Sequence, residues 1–178
     1  MPNNVGRKIQ KMQQLRYISH YSETVIAQVK ELIQSNKLGE YLLKKYPQVH
    51  SVNTEKQLYQ YTLQLKNDFI KQSNPLSKVI YDAKIHVYHN ALGTHSFVSR
   101  VQGGKLKSKQ EIRIASLFKN APLAMLNMIV VHELAHLKEK QHNKAFYKLC
   151  EYMQPNYHQL ELDTRLFLIY NELEGELY

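Results

Sequence analysis

The stretch HELAHLKEKQH, His132 to His142, holds three histidines and two glutamates in eleven residues. On a helix, residues four apart share a face, so His132 and His136 can send their imidazoles to one point. Zinc accepts neutral imidazole nitrogens, and a catalytic zinc keeps one position for water. Glu133 lies one step round the same helix. It cannot coincide with the two histidines, but it can reach a water on the open side of the metal and take its proton. That division of labour is the mechanical reason for an H-E-x-x-H pattern.

Two imidazoles leave zinc under-ligated. His142 leads the candidates for a third ligand, because a turn at Lys138–Gln141 would bring it back to the metal. The separation of His132 and His142 equals that in the metzincin pattern H-E-x-x-H-x-x-G-x-x-H. Glu139 stands where that pattern has glycine, which puts its glycine-based turn in doubt. His142 could instead open the next helix. Glu151, His158 and Glu161 are weaker third ligands. Tyr147 and Tyr157 could offer a phenol to a transition state, although packing is the commoner role of a tyrosine.

The residues around the motif say where it sits. APLAMLNMIVVHELAHLKEK is apolar on nearly every face up to His132, which predicts a helix buried in a domain centre, with Asn120 as its cap and Pro122 in its first turn. A further helix is predicted around NKAFYKLCEYM and a last one through LELDTRLFLIYNEL. Ahead of the motif, KVIYDAKIHVYH, SFVSRV and EIRIASLF read as strands, with Gly103-Gly104 as a turn. In the last of these, Ile112 and Ile114 alternate with Arg113, so one side faces a core. Earlier still, Ser22 caps a helix carrying Val25, Ile26, Val29, Leu32 and Ile33. A short helix covers Gly39 to Tyr46, and Thr54-Glu55-Lys56-Gln57 forms a capping box for another. Helices, sheet, helices make an α+β domain with a short, mainly antiparallel sheet. Residues 1–20 read as a flexible basic lead, and residues 21–178 as a single domain.

Composition bounds the rest. The 178 residues carry a formal charge of +9 and one cysteine, Cys150. A lone cysteine excludes an internal disulfide framework and favours a reducing compartment. Neither a signal peptide nor a membrane span is legible, so a soluble cytoplasmic protein without a membrane partner is expected. The positive charge is concentrated: Arg100, Lys105, Lys107, Lys109, Arg113 and Lys119 stand against Glu111 alone. Such a run is more often a solvated surface than a ligand site. As a site, it would place Arg100, Lys105, Lys107 and Arg113 on an anionic substrate.

Taken together, MIVVHELAHLKEKQHNKAFYKLC resembles the core of the YgjP-like metallopeptidase domain. KIHVYHNALGTHSFVSRVQGGKLKSKQEIRIASLFKNAP is similar to the segment before that core, and LYQYTLQLKNDF and YHQLELDTRLFL to its flanks. The resemblance spans about Tyr21 to Ile169. It implies a small zincin-like fold with a short sheet above the active-site helix. It also implies metal binding by His132, His136 and His142, with Glu133 as base.

Three functions fit these residues. The leading one is a zinc-dependent metallopeptidase, with one Zn2+ per chain and a peptide or protein as substrate. The second keeps the metal and hydrolyses the phosphoanhydride of a nucleotide. The third is a non-catalytic, metal-stabilised module that binds nucleic acid through its basic segment. If that segment holds an anion, changing Lys105, Lys107 and Lys109 together to glutamine will weaken nucleotide or DNA binding in a salt-dependent manner. Unchanged binding at low salt would make the run a solvated surface.

Overall fold

A computed structural model describes residues 14–85, 93–102 and 105–178, with strand residues 93–102 and 105–109 described by backbone alone. The chain forms two compact units, residues 1–48 with 159–178, and residues 49–158. Of the described residues, 14–48 and 159–178 thus fall in one unit although they are far apart in the sequence. No linker-like composition marks either boundary, so the division is invisible in the sequence.

The first unit is helical. A 3-10 turn, Gln14–Ile18, precedes α1 (Glu23–Gln34) and α2 (Leu38–Lys45). Tyr17 and Ile18 are buried, so the flexible lead expected over residues 1–20 does not reach residue 20. An apolar pair inside a polar stretch was too short to show periodicity. Ser22 caps α1 as expected, accepting from the Val25 N–H. Gly39 lets the last helix, α6 (Tyr157–Glu174), come close: a Cβ there would lie 2.7 Å from Cε2 of Tyr170. Asp163 of α6 is fully buried. Its carboxylate accepts from Lys45 Nζ and Tyr46 Oη, each at 2.6 Å, from Tyr41 Oη at 3.0 Å and from Gln159 Nε2 at 3.1 Å. A buried carboxylate is tolerable only with such a full set of donors. Burial and that carboxylate together push the Tyr46 phenol well above its ordinary value.

The second unit carries the sheet. Helix α3 (Glu55–Phe69) opens on the expected capping box, in which Thr54 and Gln57 exchange bonds. It buries Leu58, Thr62 and Lys66 at four-residue spacing. Strands β1 (Leu76–Asp82), β2 (Gly93–Gln102) and β3 (Lys105–Ala115) lie in the order β1-β3-β2. β2 and β3 pair antiparallel, but β1 pairs parallel with β3. The sheet is thus mainly antiparallel, as expected, with one parallel pairing, β1 with β3, that was not. The reason is simple: β2 and β3 form a hairpin, and it is β3, running in the direction of β1, that lies beside it. Alternation gives the strands but not their neighbours.

In register, Val79 faces Ile112 and Tyr81 faces Ile114, and all four side chains are buried. Arg113 points to the other face. A 3-10 turn, Ser116–Asn120, follows β3 and leads to α4 (Leu123–Ala135). Asn120 belongs to that turn rather than capping α4, whose N-cap is Pro122 without a side-chain bond. Met125, Leu126, Met128, Ile129, Val130, Val131, Leu134 and Ala135 are all buried, as an all-round apolar helix requires. Helix α5 (Lys144–Met153) then begins at Asn143, whose side chain accepts from the Phe146 N–H. Among the described residues no helix is long and apolar enough to cross a membrane.

The entry to α4 is clamped by His50. Its Nδ1 accepts from the Val52 N–H at 3.0 Å, so its proton sits on Nε2, which donates to the Phe118 carbonyl at 2.8 Å. A second proton on Nδ1 would break the Val52 bond. Burial lowers the pKa of His50 below its ordinary value, although the Phe118 bond opposes the shift. A depressed imidazole protonates in the unfolded chain first. Its contribution to stability is thus full above about pH 6.5 and is lost as pH falls from there to the lowered folded value. Melting temperature measured from pH 7.5 to 5 on chelator-treated protein will fall more steeply for the wild type than for His50→Gln. Parallel curves would remove His50 from the acid response.

Candidate metal centre

The chain around the motif turns so as to gather three rings. His132 lies in the last turn of α4, and His136 is its C-cap residue, with its N–H on the His132 carbonyl at 3.4 Å. The helix ends there: the N–H groups of Lys138 and Glu139 both bond the Ala135 carbonyl at 3.0 Å. The chain then reverses, and the Asn143 N–H bonds the Gln141 carbonyl at 2.8 Å. The turn is made without glycine. Among the described residues the only non-glycine with positive φ is Asn36, so Glu139 adopts an ordinary backbone conformation. Lys138 further ties the loop down by donating to the Gln72 carbonyl.

His142, directly before the Asn143 cap, comes back over the helix end. Its Nε2 lies 3.1 Å from Nε2 of His132 and 3.1 Å from Nε2 of His136. The three ring centroids are 4.9–5.0 Å apart. Beneath them lies the buried ring of Phe146, 4.7–4.9 Å from each imidazole. His132 and His136 are half-buried, and His142 is exposed, so the group opens on the His142 side.

The other ring nitrogens are held from behind. Nδ1 of His136 lies 3.0 Å from the Glu139 carbonyl, and Nδ1 of His132 lies 2.6 Å from Tyr157 Oη. A carbonyl only accepts, so His136 carries its proton on Nδ1 and leaves Nε2 bare. Burial lowers the pKa of His136, with the Glu139 bond and His142 as smaller influences, and so favours the neutral ring that a metal needs. A tetrahedral ion with bonds of about 2.0–2.1 Å sets its nitrogens about 3.3 Å apart. The observed 3.1 Å separations match that edge, and the three residues could hold a metal ion.

Glu133 is buried, at 3% exposure, on the same turn. No basic group among the described residues pairs with it, and burial pushes its carboxyl up to about 8. A cation beside it would draw it back toward the ionised form. The donor set and the buried carboxyl therefore fit a metal on two counts.

The remaining candidates lie elsewhere. Arg113 is engaged by Asp82 at 2.9 Å and Glu111 at 3.4 Å, on the sheet face opposite Ile112 and Ile114. The side chains of Arg100, Lys105 and Lys107 fall outside the described residues; on the backbone, Arg100 and Lys107 occupy opposed positions of the hairpin. Glu151 and His158 approach each other at 3.4 Å, and Glu161 pairs with Arg165 at 2.9 Å. Sequence reasoning weighed Tyr157 against packing and had no way to place its hydroxyl on His132. Twenty-five residues separate the two, and no local pattern links them.

With this geometry in view, the comparisons place the chain in a class. The family model of the YgjP-like metallopeptidase domain matches residues 6–165, and the chain belongs to that family. The match begins within the first twenty residues, which the sequence resemblance had left out. A protein of Escherichia coli (strain K12) named UTP pyrophosphatase is 59% identical over 157 residues, covering 88% of this chain and 94% of that protein. No solved structure matches the chain significantly. Cleavage of a peptide bond and of a phosphoanhydride are both hydrolyses, so the class shared by the family and the relative is hydrolase.

Metal analysis of the purified protein checks the donor set. His132→Ala, His136→Ala and His142→Ala are each expected to lose the bound ion, whereas Glu133→Gln, which removes no imidazole, keeps it. Full metal content in His142→Ala would exclude His142 from the site.

Proposed function

We propose that this protein is a zinc-dependent nucleotide pyrophosphatase. It would hydrolyse the α,β-phosphoanhydride of a nucleoside triphosphate, UTP first among them. The observation that carries this reading is the convergence of three imidazole nitrogens beside a buried carboxyl, in a chain 59% identical to a UTP pyrophosphatase. Zinc is the ion of choice because all three donors are imidazole nitrogens, a borderline-soft set with one tetrahedral position left over.

The balance of the reaction is direct. Water adds to the α-phosphorus, the bond from the α-phosphorus to the bridging oxygen breaks, and pyrophosphate leaves carrying that oxygen. The products from UTP are UMP and pyrophosphate. When bound, the ion supplies polarisation of water and relief of the charge on the phosphoryl oxygens. The residues do the rest. His132, His136 and His142 fix the position of that charge. A carboxylate oxygen of Glu133 takes the proton of the attacking water. Phe146 closes the inner side against solvent, which strengthens every charge interaction above it. The polyanionic substrate needs counter-charge beyond the ion, and Arg100, Lys105 and Lys107 supply it in this reading. Arg113 already serves two carboxylates and is the weaker member of that group.

A metallopeptidase remains the second reading. It is supported by the description of the family model and by the position of β2 at the sheet edge, where an extended peptide can add as a strand.

One assay separates the two. Zinc-loaded protein is given UTP, the other nucleoside triphosphates and an unfolded protein, with pyrophosphate, phosphate and new amino groups measured. Pyrophosphate release from UTP is expected, and Glu133→Gln will lower it by about 10²–10⁴-fold, the span of general-base catalysis. New amino groups without nucleotide turnover would establish the peptidase instead.

A further inference from the structure

We infer that Tyr157 is a positioning residue of the metal centre: its phenol oxygen sets the tautomer and orientation of His132 and thereby the affinity for the ion. This rests on the metal-site reading above.

The observation is a contact between distant elements. Tyr157, the first residue of α6, is fully buried, and its Oη lies 2.6 Å from Nδ1 of His132. The two rings are nearly parallel, with an interplanar angle of 19° and centroids 6.4 Å apart. Nε2 of His132 faces His142, so Nδ1 is the atom left for an outer partner. For Nε2 to offer a lone pair to an ion, the ring proton must sit on Nδ1. There it donates to the phenol oxygen. Partners of this kind hold ligand imidazoles in place and raise their basicity.

His132 and His136 are supported differently. The Glu139 carbonyl behind His136 only accepts, so that ring is committed to the metal-binding tautomer at all times. A phenol both donates and accepts. Behind His132 it can donate to Nδ1 when no ion is bound, which leaves the proton on Nε2, and accept from Nδ1 when an ion is bound. Both states keep the buried hydroxyl and the ring nitrogen satisfied. His136 is thus the preset ligand and His132 the one whose proton moves on loading. Without the hydroxyl, the metal-bound state would leave Nδ1–H against a buried apolar ring edge. An unmade buried bond is costly, and here the cost falls on metal binding.

Tyr157→Phe keeps the ring and its packing and removes the oxygen alone. Zinc affinity is measured by competition with a chromophoric chelator, beside the melting temperature of the metal-stripped protein. The expected result is a zinc affinity about 10–100-fold weaker than wild type, the usual loss on removing such a partner. The metal-stripped melting temperature will fall by a few degrees at most, since the ion-free state also loses the bond to Nδ1, and the fall in zinc affinity is the deciding readout. Equal zinc affinity in the two proteins would overturn the assignment while leaving the metal site in place. A wild type that holds no zinc would overturn both. Weaker zinc affinity in the variant would support Tyr157 even if UTP proved not to be a substrate. A second measurement needs no variant. In the zinc-loaded wild type, nitrogen NMR of the imidazoles should show a slowly exchanging proton on Nδ1 of His132. A bare Nδ1 there would also overturn the proposal.

Discussion

Helix α4 has almost no polar surface along its length, and the few polar groups it carries must be satisfied inside the second unit or gathered at its end. Asn127 is satisfied by Tyr61, at 2.7 Å, and by Gln154. His132, Glu133 and His136 fall in the last turn and cap. Burying polar groups without partners costs several kcal/mol each, by about 2–7 on common reference scales. The chain after the helix answers that cost. The turn at residues 136–142 supplies a carbonyl for His136 and a third imidazole, and the first residue of α6 supplies a phenol for His132. The geometry of the site follows from the need to end a buried helix in a polar cluster.

The same constraint explains what could be seen in the sequence. His132 and His136 are joined by helical spacing, and the apolar run before them sets their burial, so both were legible from local pattern. His142 was legible as a candidate, since the five residues between it and His136 are few enough to return it. Its rivals Glu151, His158 and Glu161 could be set aside only once their own partners were visible. Tyr157 lay beyond local reading because its link to His132 depends on tertiary packing. The parallel pairing of β1 with β3 was hidden for a like reason: period-two alternation fixes which face of a strand is buried and is silent on its neighbour. The two-unit organisation left no trace in composition: one boundary lies in a short stretch between helices, and the other, between residues 158 and 159, falls inside α6 itself.

Charge placement bears on the choice between substrates. A peptide in an extended groove needs backbone pairing and few cations, whereas a triphosphate needs several. The basic run from Arg100 to Lys119 is the densest in the chain, and part of it is already spoken for: Arg113 lies between Asp82 and Glu111, and Lys119 lies over the Tyr81 ring at 5.5 Å. In the proposed function the counter-charge for an anion is assigned to the hairpin cations Arg100, Lys105 and Lys107.

The first unit has an unusual timetable during synthesis. Its early helices present Tyr41, Lys45 and Tyr46, and the carboxylate that these three donors share is Asp163. Asp163 follows Tyr46 at a separation of 117 residues, which at 5–20 residues per second take about 6–23 s to translate. Residues 49–158 all emerge in that interval, and they make up the whole of the other compact unit. The whole of the metal-centre unit is therefore translated before Asp163 is. The helices made earliest must wait, with their donors turned to water, for the last helix to arrive.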